Sequence, residues 1–132
     1  MKRFSKRVFS LFIGVLILFM LGKIFFLDQD NRLQHGMNEI QDLYAANIDE
    51  FHQSIVRMRV DEEVNIANFS IYKHKVDNDG WNLFIFEWDK RIHLLAAELE
   101  AGLIYAEQLS DVPNYYEVRN LGDNWYVFRY YD

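Results

Sequence analysis

Residues 8–27 constrain everything else in this chain. Val8 to Leu27 is a run of about 20 largely apolar positions, preceded by Lys2, Arg3, Lys6 and Arg7. At about 1.5 Å of rise per residue, a helix of that length just crosses a hydrocarbon core about 30 Å thick. Lipid offers the backbone no hydrogen-bonding partner, so a helix is the state expected inside it. Leu11, Phe12, Ile13, Val15, Leu16, Ile17, Leu18, Phe19, Met20 and Leu21 form the centre, interrupted only by Gly14, which spanning helices tolerate. Lys23 lies toward the far end, where its long stem is expected to carry the ammonium to the interface. A soluble helix that is apolar on every side would need a large domain around it, and 132 residues do not supply one.

Charge gives the segment a direction. Residues 1–27 hold five Lys/Arg and no acid, whereas the other nine Lys/Arg share the rest of the chain with all 20 Asp/Glu. Basic flanks stay in the cytoplasm. The expectation is a single-pass protein of the cell inner (cytoplasmic) membrane, with residues 1–7 as a cytoplasmic basic tail and the acidic remainder periplasmic or extracellular. A cleavable signal peptide has a similar front but ends in small residues. Met20-Leu21-Gly22-Lys23-Ile24-Phe25-Phe26 offers one glycine among bulky side chains, so residues 8–27 are expected to be a retained signal anchor.

About 105 residues follow the anchor, enough for one small domain. They include 16 of the 22 aromatic residues and the only proline, Pro113, a composition that folds. The absence of cysteine excludes disulfides, thiol nucleophiles and thiolate metal sites. A net charge of −6 speaks against nucleic acid as a partner, because phosphate binding needs a basic face. It speaks equally against anionic headgroups held through the domain surface.

Residues 28–60 read as an amphipathic helix. Leu33, Met37, Ile40, Tyr44, Ile48, Phe51, Ile55 and Met58 recur at steps of three and four, which keeps them on one face. Asp28, Asp30 or Asn31 would start this helix after a break; alternatively the spanning helix runs straight into it. The steps drift toward 3.6 rather than 3.5, so the stripe is expected to pack on a sheet. The alternative is a coiled-coil seam that makes a homodimer through the 28–60 helix.

Residues 61–132 complete the domain. Val64 to Val76 and Trp81 to Trp88 read as strands around Asp77-Asn78-Asp79-Gly80, a turn signal. Both faces of the second strand are apolar, which places it inside a sheet. Asp89 to Leu109 carries Ile92, Leu95, Ala96, Leu99, Leu103 and Ala106 at helical spacing, with Asp89 as a cap and Pro113 as a stop, and reads as a helix. Tyr115 to Leu121 and Trp125 to Tyr131 form a second hairpin around Gly122-Asp123-Asn124. The class is α+β: an N-terminal transmembrane helix, then helix, β-hairpin, helix, β-hairpin, with a four-stranded, mainly antiparallel sheet.

Chemistry is hard to find in this pattern. His35, His52, His74 and His93 occupy no metal-binding frame, and Asp49 with His52, or Asp89 with His93, match ordinary surface pairs on a helix. Asp77-Asn78-Asp79-Gly80 lacks the later bidentate glutamate of a calcium loop. No nucleophile elbow, phosphate-cradling loop or dinucleotide fingerprint is present, so no enzyme, no cofactor and no metal are expected.

Aromatic residues are the remaining signal. Trp81, Trp88, Tyr115, Tyr116, Trp125, Tyr126, Tyr130 and Tyr131 cannot all enter one core if strand alternation holds. Trp88, Tyr115, Tyr116, Trp125, Tyr126, Tyr130 and Tyr131 are therefore the candidate interaction surface, since Tyr and Trp bury large area and keep a polar handle. The competing role for the same residues is to pack the hairpins against the helices. The functional expectation is a membrane-anchored extracytoplasmic binding or accessory domain acting on another envelope protein. The alternative is a ligand-sensing domain with a pocket between sheet and helices.

A hydrophobic amino-terminal helix, an amphipathic helix and a four-stranded sheet also resemble the layout of type IV pilins. That resemblance implies a structural subunit. It extends to no motif, because Gly14-Val15-Leu16-Ile17-Leu18 and Gly22-Lys23-Ile24-Phe25 lack the family's processing site of glycine followed by Phe-Thr-Leu-Ile-Glu.

Overall fold

The fold was analysed in a computed structural model that describes residues 2–74, 81–95, 97–114 and 116–131, with the backbone alone at residues 2–4 and 131. Its largest element follows from the absence of any helix breaker near the end of the apolar run. Asp28, Asp30 and Asn31 do not start a new helix; α1 runs unbroken from Lys2 to Ala46, 45 residues. The rod-like alternative is thus the one adopted. Every large apolar side chain from Val8 to Leu27 is exposed, and the helix is long and apolar enough to cross a membrane. Lys23 Nζ lies 5.1 Å from the centre of the Phe19 ring, one turn earlier in α1. Such a contact is the ordinary one for helical side chains, which lean toward the amino terminus.

The 28–60 helix is broken once, at Asn47, where φ is −129° and ψ is 31°. Asn47 Nδ2 donates to the Leu43 carbonyl (3.0 Å) and its backbone N–H to that of Tyr44 (3.2 Å), satisfying two orphan acceptors at the end of α1. Helix α2 then runs from Ile48 to Arg59. The break turns Ile48 out to solvent, while Leu33, Met37, Ile40, Tyr44, Phe51, Ile55 and Met58 stay in the core. The stripe is spent on the sheet within one chain.

Strands β1 (Phe69–His74), β2 (Leu83–Trp88), β3 (Ile92–His93), β4 (Glu98–Ala106), β5 (Glu117–Gly122) and β6 (Trp125–Tyr131) form a six-stranded sheet in the order β1-β2-β4-β6-β5, with β3 also paired to β4. All pairings are antiparallel. The expected four strands are therefore six, and the helix expected over Asp89 to Leu109 is absent: that segment is β3, β4 and the start of a 3₁₀ turn at Leu109–Asp111. The reason is a pattern with two readings. Leu99, Ala101, Leu103 and Tyr105 also alternate with Glu98, Glu100, Gly102 and Ile104, and short apolar runs fit either period. Gly102 favours the strand, since glycine weakens a helix interior, and a Cβ there would overlap the Phe86 carbonyl oxygen.

The first hairpin pairs Phe69 with Trp88 through His74 with Leu83 and is shorter than expected; its turn, residues 77–80, lies outside the described residues. Strand β2 has β1 on one side and β4 on the other, as an internal strand should. The second hairpin turns at Gly122, Asp123 and Asn124, with φ values of 93°, 53° and 69°. Only glycine, asparagine and aspartate enter that region readily.

Alternation divides the sheet into two faces. Phe84, Phe86, Trp88, Leu99, Leu103, Trp125 and Val127 point toward α1 and α2. Leu83, Ile85, Ile104 and Phe128 point the other way, covered by Val112, Tyr116, Val118, Tyr126 and Tyr130. On this second face Val112 and Tyr116 come from the β4–β5 connection.

Candidate functional site

Position along α1 sets the level of each part of the domain. Near its base, Gln29 Oε1 accepts from the Leu95 backbone N–H (2.8 Å). Higher up, Gly36 meets Ile92, and a Cβ there would lie 2.6 Å from Ile92 Cδ1. At the top, Tyr44 packs on Trp125 with ring centres 5.2 Å apart. Ile92 pairs with Leu99 and Trp125 with Tyr105, so β4 begins at the base of the packed half of α1 and ends near its top.

Of the aromatic residues expected at an interaction surface, Trp125 and Trp88 are in the core, 1% and 6% exposed. They are not available to a partner. Trp125 packs against Tyr44, Phe51, Phe86 and Tyr105 and stacks on His52 at an interplanar angle of 12°. The packing role holds for these two because both lie on the face that receives the helices. Tyr116, Tyr126 and Tyr130 are half-buried on the opposite face. Tyr115 and the Tyr131 side chain lie outside the described residues. Lys6 and Arg7 are on the exposed first part of α1, where the side chains of Lys2 and Arg3 are also outside the description.

The structure adds one tyrosine to this set. Tyr72 on β1 pairs with Ile85 and so lies on the same face as Tyr126, which pairs with Ile104. Tyr72 is 49% exposed. The signal was in the strand itself, where Ser70, Tyr72 and His74 alternate with Phe69, Ile71 and Lys73, but register with β2 was needed to fix its side. Together Tyr72, Tyr116, Tyr126 and Tyr130 give the face opposite α1 a tyrosine lining over an apolar floor.

Near its lower end this face carries a buried carboxylate. Glu100 is 7% exposed and accepts from Arg91 Nη2 (3.0 Å) and from the Tyr130 hydroxyl. Tyr116 packs edge-on to Phe128 and Tyr130, with ring centres 5.0 and 4.8 Å away. Burying a charge is costly unless it is paired, and this one is. The geometry holds Tyr130 in place and does not present a carboxylate to solvent.

Two of the four histidines are engaged through their rings. His52 Nε2 lies 2.9 Å from the Tyr44 hydroxyl, and His93 Nδ1 lies 3.1 Å from Glu98. Asp89 accepts from Ser70 Oγ (3.0 Å), and with β3 in place of a helix, Asp89 and His93 no longer share a helical face. Burial raises the Tyr44 pKa above its ordinary 10.0, with the Asp123 carboxylate adding to the effect. Among the described residues no cluster of three or more His, Asp or Glu is placed to hold a metal ion.

One recess lies at the junction of α2 and the sheet, lined by His52, Ile55, Arg59, Tyr105, Asp123 and Trp125 and open to solvent, with a volume of about 290 Å³. Between helices and sheet, Ile40, Phe51, Phe86, Leu103 and Trp125 fill the interior. No protein family, curated protein or solved structure matches this chain.

Proposed function

We propose that this is a single-pass, membrane-anchored extracytoplasmic domain that binds another protein of the cell envelope through the tyrosine-lined face of its sheet. The observation that carries the reading is the unbroken α1: residues 8–27 are largely apolar and their large apolar side chains are all exposed, the stripe from Leu33 to Tyr44 is part of the domain core, and no break lies between. The asymmetry of basic residues around the apolar run supports a cytoplasmic amino terminus in the inner membrane. The bulky residues near its end, Met20 to Phe26 around a single glycine, support a retained anchor. Confinement raises the effective concentration of neighbouring membrane proteins, so a contact of modest affinity suffices.

A photoreactive residue placed at Tyr72 or Tyr126 in living cells is expected to capture a defined envelope protein that Val56, on the exposed side of α2, does not. Equal adducts at all three positions, or none, would overturn the surface assignment. A reporter active only outside the cytoplasm, fused after Asp132, tests the orientation; a silent, well-expressed fusion refutes it.

A second reading, a pilin-like structural subunit, is favoured by one feature: a long helix that protrudes for half its length and packs on an antiparallel sheet for the rest. It requires removal of the basic tail before assembly. An intact amino terminus on the mature protein in cells would exclude it. The recess beside His52 and Arg59 lends the ligand-binding alternative little support, because it lies open to solvent and would enclose little of a ligand.

A further inference from the structure

We propose that the tip of the β3–β4 hairpin is a second membrane contact, with Leu95 entering the headgroup layer beside α1. The inference rests on the anchor reading above and adds a lipid-binding site in the folded domain.

Three observations converge on it. The first is level. Leu95 N–H donates to Gln29 Oε1, and Gln29 is two residues beyond Leu27, the last position of the apolar run. At about 1.5 Å per residue, that is about 3 Å past the hydrocarbon boundary. Headgroups extend the bilayer from about 30 Å of hydrocarbon to about 40–45 Å overall, so a group at that height lies within the interfacial layer. Because α1 does not break between Leu27 and Gln29, the hydrogen bond fixes this level relative to the bilayer.

The second is composition. Backbone hydrogen bonds in both directions between Leu94 and Ala97 close the hairpin (2.8 and 3.4 Å), and Leu95 lies in the two-residue connection between them. Two-residue hairpin turns favour glycine, asparagine and aspartate. The β5–β6 turn of this same domain, at the far end of the sheet, obeys that preference with Asp123-Asn124. A leucine at the lower turn runs against local turn chemistry.

The third is exposure. Leu95 is 74% exposed, whereas its neighbour Leu94 packs against the main core. The hairpin therefore has its own anchorage in the domain and still holds one large apolar side chain outside it. Contact with lipid covers that side chain, and the tip reaches lipid from a point off the helix axis. Two attachment points oppose tilting of the domain away from the hairpin, and so set the direction in which the tyrosine-lined face looks.

The chain has no cysteine, so single-cysteine variants of the full-length protein take one nitroxide label each. Leu95→Cys, Phe19→Cys and Val60→Cys would be compared in phosphatidylcholine vesicles by collision with oxygen, which concentrates in lipid, and with a water-soluble nickel chelate. Val60 is the aqueous reference: it is exposed and follows Arg59, whose ion pair with Glu107 (2.7 Å) places it beyond the distal end of β4. The expected result is a several-fold lower nickel accessibility at residue 95 than at residue 60, with residue 19 lower still. If residue 95 is as open to nickel as residue 60 while residue 19 is shielded, the hairpin contact is overturned and the anchor stands. If residue 19 is open as well, both fail. No other protein is present in the vesicles, so a tip that serves a protein partner instead gives the first of these negative results.

Discussion

The two halves of α1 have similar backbones and opposite surroundings. From Val8 to Leu27 the apolar side chains point in every direction and none is buried; from Leu33 to Tyr44 they form one stripe and are nearly all covered. Glycine shows the same contrast. Nothing lies within 4 Å of a Cβ built at Gly14 or Gly22, whereas one built at Gly36 meets Ile92. A helix alone therefore does not determine what it packs against. The distribution of apolar residues around it does: a full circumference calls for lipid, a stripe calls for a sheet.

Matched substitutions in the two halves should break this contrast, the largest effect first. Ile40 is fully buried, so Ile40→Asp places an unpaired carboxylate in the core and is expected to remove most of the domain's stability, a loss of several kcal/mol. Leu16→Asp should leave the domain's melting transition in detergent unchanged and disfavour membrane insertion by about 3 kcal/mol, read as release on alkaline extraction. Equal melting losses for both would contradict the division.

Next in size, Gly36→Ala is expected to lower stability by about 1–3 kcal/mol by forcing Ile92 to move, while Gly22→Ala costs the domain nothing. Chemical denaturation followed through the buried Trp88 and Trp125 distinguishes them. A neutral Gly36→Ala would mean that helix and hairpin separate easily, and would weaken the case for a fixed height of the β3–β4 tip.

Smaller again is Arg119. It reaches from the edge strand β5 to the side-chain oxygens of Gln34, Asn38 and Gln41 at 2.8 to 3.1 Å, tying the sheet's edge to the packed half of α1. Arg119→Leu should cost about 1–2 kcal/mol, because these bonds are only partly shielded from water. Hydrogen exchange should show the loss mainly in β5.

The smallest effect is a pH dependence. The folded-state pKa of Tyr44 is raised, so above about pH 10 the unfolded chain loses this proton before the folded one does. Fewer protons on the unfolded state mean that stability falls as pH rises through this window. Tyr44→Phe should flatten that alkaline decline in a melting series, and an unchanged slope would assign it to other groups.

Much of this organisation is legible in the sequence. The anchor depends on length and hydropathy, the stripe from Leu33 to Met58 on spacing, and the β5–β6 turn on Gly122-Asp123-Asn124, all local properties. What is not legible depends on neighbours. Residues 98–106 satisfy two periods, and their strand state is decided by β2 and β6 on either side, with Gly102 against the Phe86 backbone. Asn47 breaks the helix where the chain must turn back over the sheet, a demand set by the core and not by Asn47 itself. Trp88 and Trp125 look like surface anchors because aromatic residues serve cores and interfaces equally well; only sheet register tells which side each occupies.

Strand order also dictates a sequence of events. Strand β5 precedes β6 in the chain but pairs with no other strand, and β6 fills the gap between it and β4. The β5–β6 hairpin, closed by a two-residue turn, can form locally and dock as a unit, whereas β5 alone has no sheet partner to join. Trp125 belongs to that hairpin and fills the space among Tyr44, Phe51 and Phe86, so the helical face of the core is complete only once the hairpin has docked. Until then, the upper part of α1 presents an uncovered apolar stripe, and aggregation should compete with folding most strongly during that interval.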